Sequence, residues 1–561
     1  MKMSMIKKIF ALLLTVAMLI CVLTACGQPN TPISAERAPL HATANTKNES
    51  TATQKQITSV NITCGKSAIE SFAAAELKWY FSKKNVALAD DGYGVEVKLD
   101  ASIPAGGYKI SADENGLVIA GGNERGLAYG LYAFLEKFLG VYFYSANTTT
   151  ISEGDVIVGY GILDELNPAF DILRNPWYPI EQLPQKDGGN LRDNSFIKTY
   201  QLDLFIKGGP TLACPSSSEN QQKAIQKVMD YLRSGEAVDV IRFIPGTYTY
   251  CPCDDCAQII NDEGSVSAIY VRFLNALAEA MSPRFSNVKI EVVVEDYFEQ
   301  VPTKTKLADG ISLLFSTEEY HISHSLTDES CPEAVSFANS LREWSAVCNN
   351  ISIDYVVTSS TEYIPTFPNL GTLRENIRFF AECGIESISI DGNFACPSGE
   401  FGELRVYLIS KLLQDPYMSE EEYDAYMNSF LKAYYGDGWE YIRKFIDKTT
   451  ELAADGHQTV SGNPFDAITA EEYLANEADF DEWWAKAEEL AGDRADFVKR
   501  ANYQWRYIKL CLHPDAEEAQ KLIADTSDSF MTRVGWRNAQ WNVDTQNSDL
   551  TKSPLEWVYK S

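Results

Sequence analysis

Between residues 168 and 391 the chain repeats one beat: a short apolar run, a turn, then a stretch of helical periodicity. The runs are FDILR (170–174), LDLFI (202–206), VDVIRFI (238–244), VKIEVVVED (288–296), ISLLF (311–315), ISIDYVVT (351–358) and ESISID (386–391). Helical patterns stand between several of them, at Glu219 to Arg233, Ser265 to Met281, Pro332 to Trp344 and Leu373 to Cys383. Strands joined through helices run parallel, and Val/Ile-rich parallel strands are buried on both faces. The expected fold class is therefore α/β, built on a (β/α)8-like, TIM-type barrel. Seven runs are one short of eight, so one strand is missing or distorted; an open doubly wound sheet is the second choice.

The flanking segments read differently. Residues 57–160 form a small mixed α/β domain. Ser67-x-x-Glu70 is a capping box that opens a helix with Ile69, Phe72, Ala73, Leu77, Tyr80 and Phe81 on one face. GVEVKL alternates as a strand, and Asn115-Gly116 marks a hairpin. Gly121-Gly122 leads into a helix from about Arg125 to Phe138; without a full nucleotide fingerprint it reads as a tight strand-to-helix turn. The barrel region spans 161–435, and 436–561 reads as a helical cap, with Trp483, Ala487, Leu490 and Phe497 at helical spacing.

The first 25 residues combine Lys2, Lys7 and Lys8 with a short apolar run, Ile9 to Leu23, too short to span a bilayer stably. Leu23-Thr24-Ala25-Cys26 resembles a lipobox, so Cys26 is the expected lipidation site. Residues 26–56 form a polar tether that buries no core. The expected location is the cell surface, lipid-anchored to the outer face of the bacterial cytoplasmic membrane. A net charge of −30 would repel nucleic acid, and the membrane is engaged only through the lipid.

Active residues of barrel enzymes sit at the C-terminal ends of the strands, and acids crowd those ends here. VKIEVVVED closes in Glu295-Asp296, ISIDYVVT runs on to Glu362, and ESISID ends at Asp391. Cleaving a glycosidic bond needs one carboxylic acid to protonate the leaving oxygen and a second carboxylate as nucleophile or base. Glu295 or Asp296 is the expected acid, with Asp391, then Glu362, as its partner. His324, Tyr297 and Trp177 are candidates to hold sugar hydroxyls or stack on rings. His321-x-x-His324 has metal-like spacing, but no third ligand stands nearby in the sequence, so a substrate-facing His324 is preferred.

YCPCDDC (250–256) places Cys251, Cys253 and Cys256 in a very short span. Asp254 and Asp255 should raise the thiol pKa, which argues against redox chemistry. Cys253-x-x-Cys256 suits zinc, with Cys214 or Cys331 as a further sulfur, yet no second CxxC exists. The favoured expectation is a loop at the rim of the cleft whose cysteines pair or stay reduced, with no cofactor; a structural zinc is the alternative.

CPCDDC, HSLTDESCPE (324–333), FPNLGTLRENIRFFAECGI (367–385) and GEFGELRVYLISKLLQDP (399–416), in that order, resemble bacterial domain-of-unknown-function family 4838. NERGLAYGLYAFLEKFLGVYFY resembles the small domain that precedes the barrel in alpha-glucuronidases and family 20 beta-hexosaminidases. The resemblance implies a glycosidase-like barrel, with Cys214, Cys251, Cys253 and Cys256 as family cysteines and cleft roles for His324, Glu403, Arg405 and Tyr407. The family supplies no established catalytic pair. The expected function is an extracellular lipoprotein glycoside hydrolase acting on a glycan or oligosaccharide. The alternative is a non-catalytic glycan-binding lipoprotein on the same scaffold, favoured by the absence of an acid in IPGTYTY after VDVIRFI.

Overall fold

A computed structural model describes residues 54–145, 148–170, 172–174, 199–202, 214–235, 238–245, 250–295, 298–359, 364–392 and 400–527. Cys26, Trp177, Asp296, Tyr297 and Glu362 lie outside the described residues.

The chain opens with strands β1 (Gln54–Gln56) and β2 (Ser59–Cys64). Helix α1 (Ala68–Lys83) follows, and its capping box is formed: Glu70 N–H donates to Ser67 Oγ and Ser67 N–H to Glu70 Oε2. Phe72 departs from the expected apolar face and is exposed. After β3 (Ala87–Leu88) and β4 (Tyr93–Leu99), β5 (Tyr108–Ala112) and β6 (Gly116–Gly121) form the hairpin expected at Asn115-Gly116. Helix α2 (Glu124–Leu139) is N-capped by Asn123, whose side chain accepts from Gly126 N–H. The turn before it requires glycine by close approach: a Cβ on Gly122 would lie 2.1 Å from the Pro104 carbonyl oxygen. Strands β7 (Val141–Ser145) and β8 (Thr148–Ile151) pair with each other, and β9 (Ile157–Gly159) pairs with β1. Strand β10 (Gly161–Leu166) completes a six-stranded mixed sheet in the order β10-β5-β6-β4-β2-β3.

The second sheet is all parallel. Its strands are β11 (Ile172–Arg174), β12 (Thr199–Leu202), β13 (Val240–Phe243), β14 (Lys289–Val294), β15 (Ile311–Ser316), β16 (Ile351–Val356) and β17 (Ser387–Asp391). Each falls on or beside an expected run; β12 lies ahead of 202–206. The order is β11-β17-β16-β15-β14-β13-β12. The first strand thus pairs with the last, as in a ring, whereas in a doubly wound sheet the early strands sit in the middle. Among the described residues the ring is open between β11 and β12, and no eighth strand is present.

Between the strands stand α3 (Ser218–Arg233), α4 (Asp254–Glu263), α5 (Ser267–Met281), α6 (Pro332–Ser345) and α7 (Leu373–Glu382). They cover one face of the sheet: Phe243 packs on Tyr270 and Phe273, Phe315 on Phe337, and Tyr355 on Phe380. Strand alternation therefore sends Arg242, Glu291, Ser316, Asp354 and Ser389 to the opposite, inner face.

After β17 the described chain is helical, through α8 (Gly402–Gln414), α9 (Glu420–Tyr435), α10 (Trp439–Leu452), α11 (Ala470–Leu490), α12 (Ala495–Leu512) and α13 (Ala516–Ser527). The stretch read as one helical face divides around Gly492; Trp484 rather than Trp483 is buried, and Leu490 is exposed. Among the described residues no helix is long and apolar enough to cross a membrane.

Candidate functional site

The inner face of the parallel sheet carries charge where a barrel interior is ordinarily filled by branched apolar side chains. Arg242 on β13 grips Glu291 on β14: Nη2 and Nε lie 2.6 and 2.7 Å from Glu291 Oε1. Register sets Arg242 against Glu291 and Ser316 against Asp354, which in turn faces Ser389. Burial pushes the Asp354 carboxyl up to about 6. Arg242 and a hydrogen bond with Ser389 oppose that rise, whereas Glu318 and Glu291 add to it. Asp354 is thus a carboxylic acid that holds its proton well above the ordinary aspartate range, two residues before the end of β16.

Two expected acids flank it. Glu295 is the first residue past β14 and is half-buried; alternation places it on the same face as Glu291. Asp391 ends β17, also half-buried, and its carbonyl accepts from Val357 N–H at 2.8 Å. Val356 is the register partner of Asp391, so Asp391 sits one strand over from Asp354 and two residues further along. The structure therefore brings Glu295 and Asp391 to one end of one face, with Asp354 between their strands. Sequence reasoning passes over Asp354 because it sits inside an apolar run, not at its end.

Of the residues assigned by resemblance to a cleft, Arg405, Tyr407 and Glu403 are held inside the packing, whereas His324 lines a cavity. Arg405 is fully buried: Nε donates to Asn369 Oδ1 at 2.9 Å, Nη1 to the Glu400 carbonyl, and Nη2 to the Phe367 carbonyl and to Glu400 Oε2 at 2.5 Å. All three of its nitrogens are engaged by protein oxygens, so it pins loops rather than sugar hydroxyls. Glu400 and Phe401, at φ +36° and +55°, adopt the left-handed region that non-glycine residues seldom occupy. The Arg405 clamp holds that turn in place, and burial pushes the Glu400 carboxyl up to about 7 against Arg405. Tyr407, 1% exposed, packs on Tyr144 and Phe430, joining the small domain to the helical region. Glu403 accepts from Tyr434 Oη at 3.0 Å, and burial pushes it up to about 7.

His324 lines a cavity of about 400 Å³ together with Ser323, Asp328, Thr372 and Glu375. It is buried, and its Nδ1 lies 3.1 Å from Asp328 Oδ2. The spacing of His321 and His324 does find further donors, contrary to expectation. Cys331 and His457 join them, with one ligating atom from each of the four residues all within 4.8 Å of one another.

The four family cysteines also converge. Cys214 Sγ lies 3.5 Å from Cys253 Sγ and 3.6 Å from Cys256 Sγ, and the Cys251 sulfur completes a group within 4.8 Å. None is in a disulfide, so pairing is not what joins them. Sulfurs around a tetrahedral zinc stand roughly 3.8 Å apart, so this set fits the ion. Asp254 and Asp255 do not raise Cys253 as expected. Cys253 caps α4 and accepts Cys256 N–H, and that hydrogen bond, with one from Cys214, brings its thiol down to about 6. Burial pushes Cys256 up to about 12. A closed set of four thiols, tied into a helix N-terminus, is suited to a structural metal rather than to catalysis.

Residues 207–447 match the family described as Domain of unknown function (DUF4838). No curated protein matches the chain in sequence. Among solved structures, the fold is similar to a GH115 4-O-methyl-alpha-glucuronidase with specificity for decorated arabinogalactans (11% identity, 90% of this chain and 80% of that one, TM-score 0.48). It is also similar to the Flavobacterium johnsoniae chitobiase (9%, 89% and 95%, TM-score 0.40) and to a GH138 enzyme targeting pectin rhamnogalacturonan II (12%, 89% and 78%, TM-score 0.36). The segment from 207 to 447, which holds most of the parallel sheet, both donor clusters except His457, and the inner-face acids, is the part that matches DUF4838.

Proposed function

We propose that the chain hydrolyses a glycosidic bond at the inner face of the parallel sheet, with Asp354 as general acid and Asp391 or Glu295 as the ionised partner. The observation that carries the reading is a carboxyl held protonated to about 6 on the inner face, among Arg242 and Glu291 and on the same face as the strand-end acids Glu295 and Asp391. Asp354 would pass its proton to the leaving oxygen. If the partner carboxylate attacks the anomeric carbon, the water that then cleaves the glycosyl ester would give its proton to ionised Asp354; if it instead draws the proton from an attacking water, it would release that proton to solvent and Asp354 would be reprotonated from solvent. Adjacent parallel strands stand about 4.8 Å apart, so acids one or two strands from Asp354 fall within the roughly 5–10 Å over which carboxyl pairs work. Arg242 would steady the charge that Asp354 acquires on giving up its proton. The reaction would take place outside the cell, on a body tethered through lipidated Cys26.

Incubating the chain with a panel of plant, bacterial and host glycans, and measuring released reducing ends, tests the proposal. Asp354→Asn should lower turnover by about 10²–10⁴-fold, and one of Asp391→Asn and Glu295→Gln should do the same. Full activity in Asp354→Asn overturns the assignment. Glycan binding with no product from any variant or from the parent chain favours the non-catalytic binding protein instead.

A further inference from the structure

We propose that His321, His324, Cys331 and His457 form a second metal site, of three imidazoles and one thiolate, that takes zinc and clamps the loop after β15 to the helical region. The loop between β15 and α6 supplies His321, His324 and Cys331, and the segment after α10 supplies His457. Two backbone-anchored hydrogen bonds fix the segments together: Ile322 N–H donates to the Gln458 carbonyl at 2.9 Å, and Ser323 Oγ to the Gly456 carbonyl at 2.7 Å. The donors are thus held in place by contacts that do not involve the donors' own side chains.

The donor geometry is that of a coordination shell. His321 Nδ1 lies 3.1 Å from His457 Nδ1 and 3.3 Å from Cys331 Sγ. Nitrogen and sulfur ligands around a tetrahedral zinc stand roughly 3.3–3.6 Å apart. The outer layer is equally apt. Asp328 Oδ2 sits on His324 Nδ1 at 3.1 Å, leaving Nε2 as that ring's ligating atom, and Ser330 N–H and Oγ hold the other Asp328 oxygen at 2.8 and 2.7 Å. A carboxylate on the far nitrogen of a ligating imidazole fixes its tautomer and raises its basicity.

Hydrogen bonding alone does not account for the cluster. His324 Nε2 is buried and has no hydrogen-bond partner. Leaving such an atom unpaired costs about 1–3 kcal/mol. His321 Nδ1 has two close neighbours that both compete for one position, and the three imidazole rings crowd at 4.7–5.9 Å between centroids. One divalent cation would satisfy His324 Nε2, both close Nδ1 atoms and the Cys331 sulfur together. Three nitrogens and one thiolate suit zinc, and four protein ligands leave no open position, so the site would serve architecture. His324 also lines the cavity described above, so the metal would set the shape of that wall.

The test is metal content of the full chain, stripped with chelator and reloaded with zinc, then analysed by mass spectrometry of the elements. Two zinc ions per chain are expected, one at the four cysteines and one here. Cys331→Ser and His457→Ala should each reduce two to one, and Cys253→Ser combined with Cys256→Ser should also leave one. Asp328→Asn should weaken the second site by about 10- to 100-fold and leave the first unchanged. Where a variant fails to fold, cobalt loading of the parent chain decides. A tetrahedral ligand-field band with one thiolate's charge-transfer intensity, beyond that of the four-cysteine site, is expected. A parent chain that saturates at one metal, removed by Cys253→Ser with Cys256→Ser but not by Cys331→Ser, overturns the proposal.

Discussion

Replacing Asp354 with Asn should make the protein more stable at neutral pH, and the size of that gain should shrink in acid. The carboxyl is raised from the ordinary 3.8 to about 6, chiefly by burial. Each tenfold is worth about 1.4 kcal/mol, so keeping Asp354 ionised in the folded protein costs up to about 3 kcal/mol. The sign follows from linkage. Between 3.8 and 6 the folded chain binds the proton that the unfolded chain releases, so stability falls as pH rises through that window. Above it the whole cost is present, and well below it none remains. Asn carries no charge at any of these values. Because Asp354 is half-buried, solvent screening trims the gain at pH 7.5 to about 1–3 kcal/mol, and at pH 4.5 about a third of it should survive. Paired urea melts of the parent and Asp354→Asn at the two pH values measure the difference directly. An Asn variant that is less stable than the parent at pH 7.5, or a difference that does not move with pH, refutes the claim that the fold holds this acid protonated.

Other perturbations separate structural roles from chemical ones. Arg405→Ala should leave buried Glu400 without its guanidinium and cost about 3–5 kcal/mol, read as a lowered melting temperature. Gly122→Ala would drive a methyl to 2.1 Å from the Pro104 oxygen and 2.4 Å from that of Ile103, costing about 3 kcal/mol in a denaturant melt. Arg242→Met alone should cost about 3 kcal/mol by stranding Glu291, whereas Arg242→Met with Glu291→Leu should recover most of that stability and still lack activity on any cleaved glycan.

How much of this is legible in the sequence depends on how far apart the cooperating residues lie. The strands β13 to β17 are visible because each is a contiguous apolar run, and α1, α2 and α6 because their caps and periodicity are local. The alternation in ISID and SISID is also visible, but reading it as a continuous apolar run hides Asp354 among isoleucines that face the helices. His321 and His324 announce themselves by spacing; His457, 136 residues beyond His321, joins them only through the packing of the helical region on the loop. The behaviour of Cys253 is hidden for another reason. Its thiol answers to the amide of Cys256 at a helix start, and counting nearby aspartates misses that hydrogen bond. Likeness places Arg405 and Tyr407 in a cleft, yet burial, which likeness does not report, puts them in the packing.

The inner face also bears on which parallel architecture the chain adopts and on what that face is for. A doubly wound sheet is covered by helices on both sides, and both sides should then be apolar. Here Ile241, Phe243, Ile290, Val292, Ile353 and Ile388 are buried toward the helices, while the alternate positions hold Arg242, Glu291, Ser312, Ser352, Asp354, Ser387 and Ser389 among the apolar Val240, Val293, Leu314 and Val356. That one-sided polarity, together with the pairing of β11 to β17, fits strands curling around an interior. An interior built only for stability would be filled with Val, Ile and Leu, since a buried ion pair such as Arg242–Glu291 seldom repays its desolvation. The charges set among those apolar residues add little to folding stability. They find a use if the face must meet a polar ligand and hold a proton beside it.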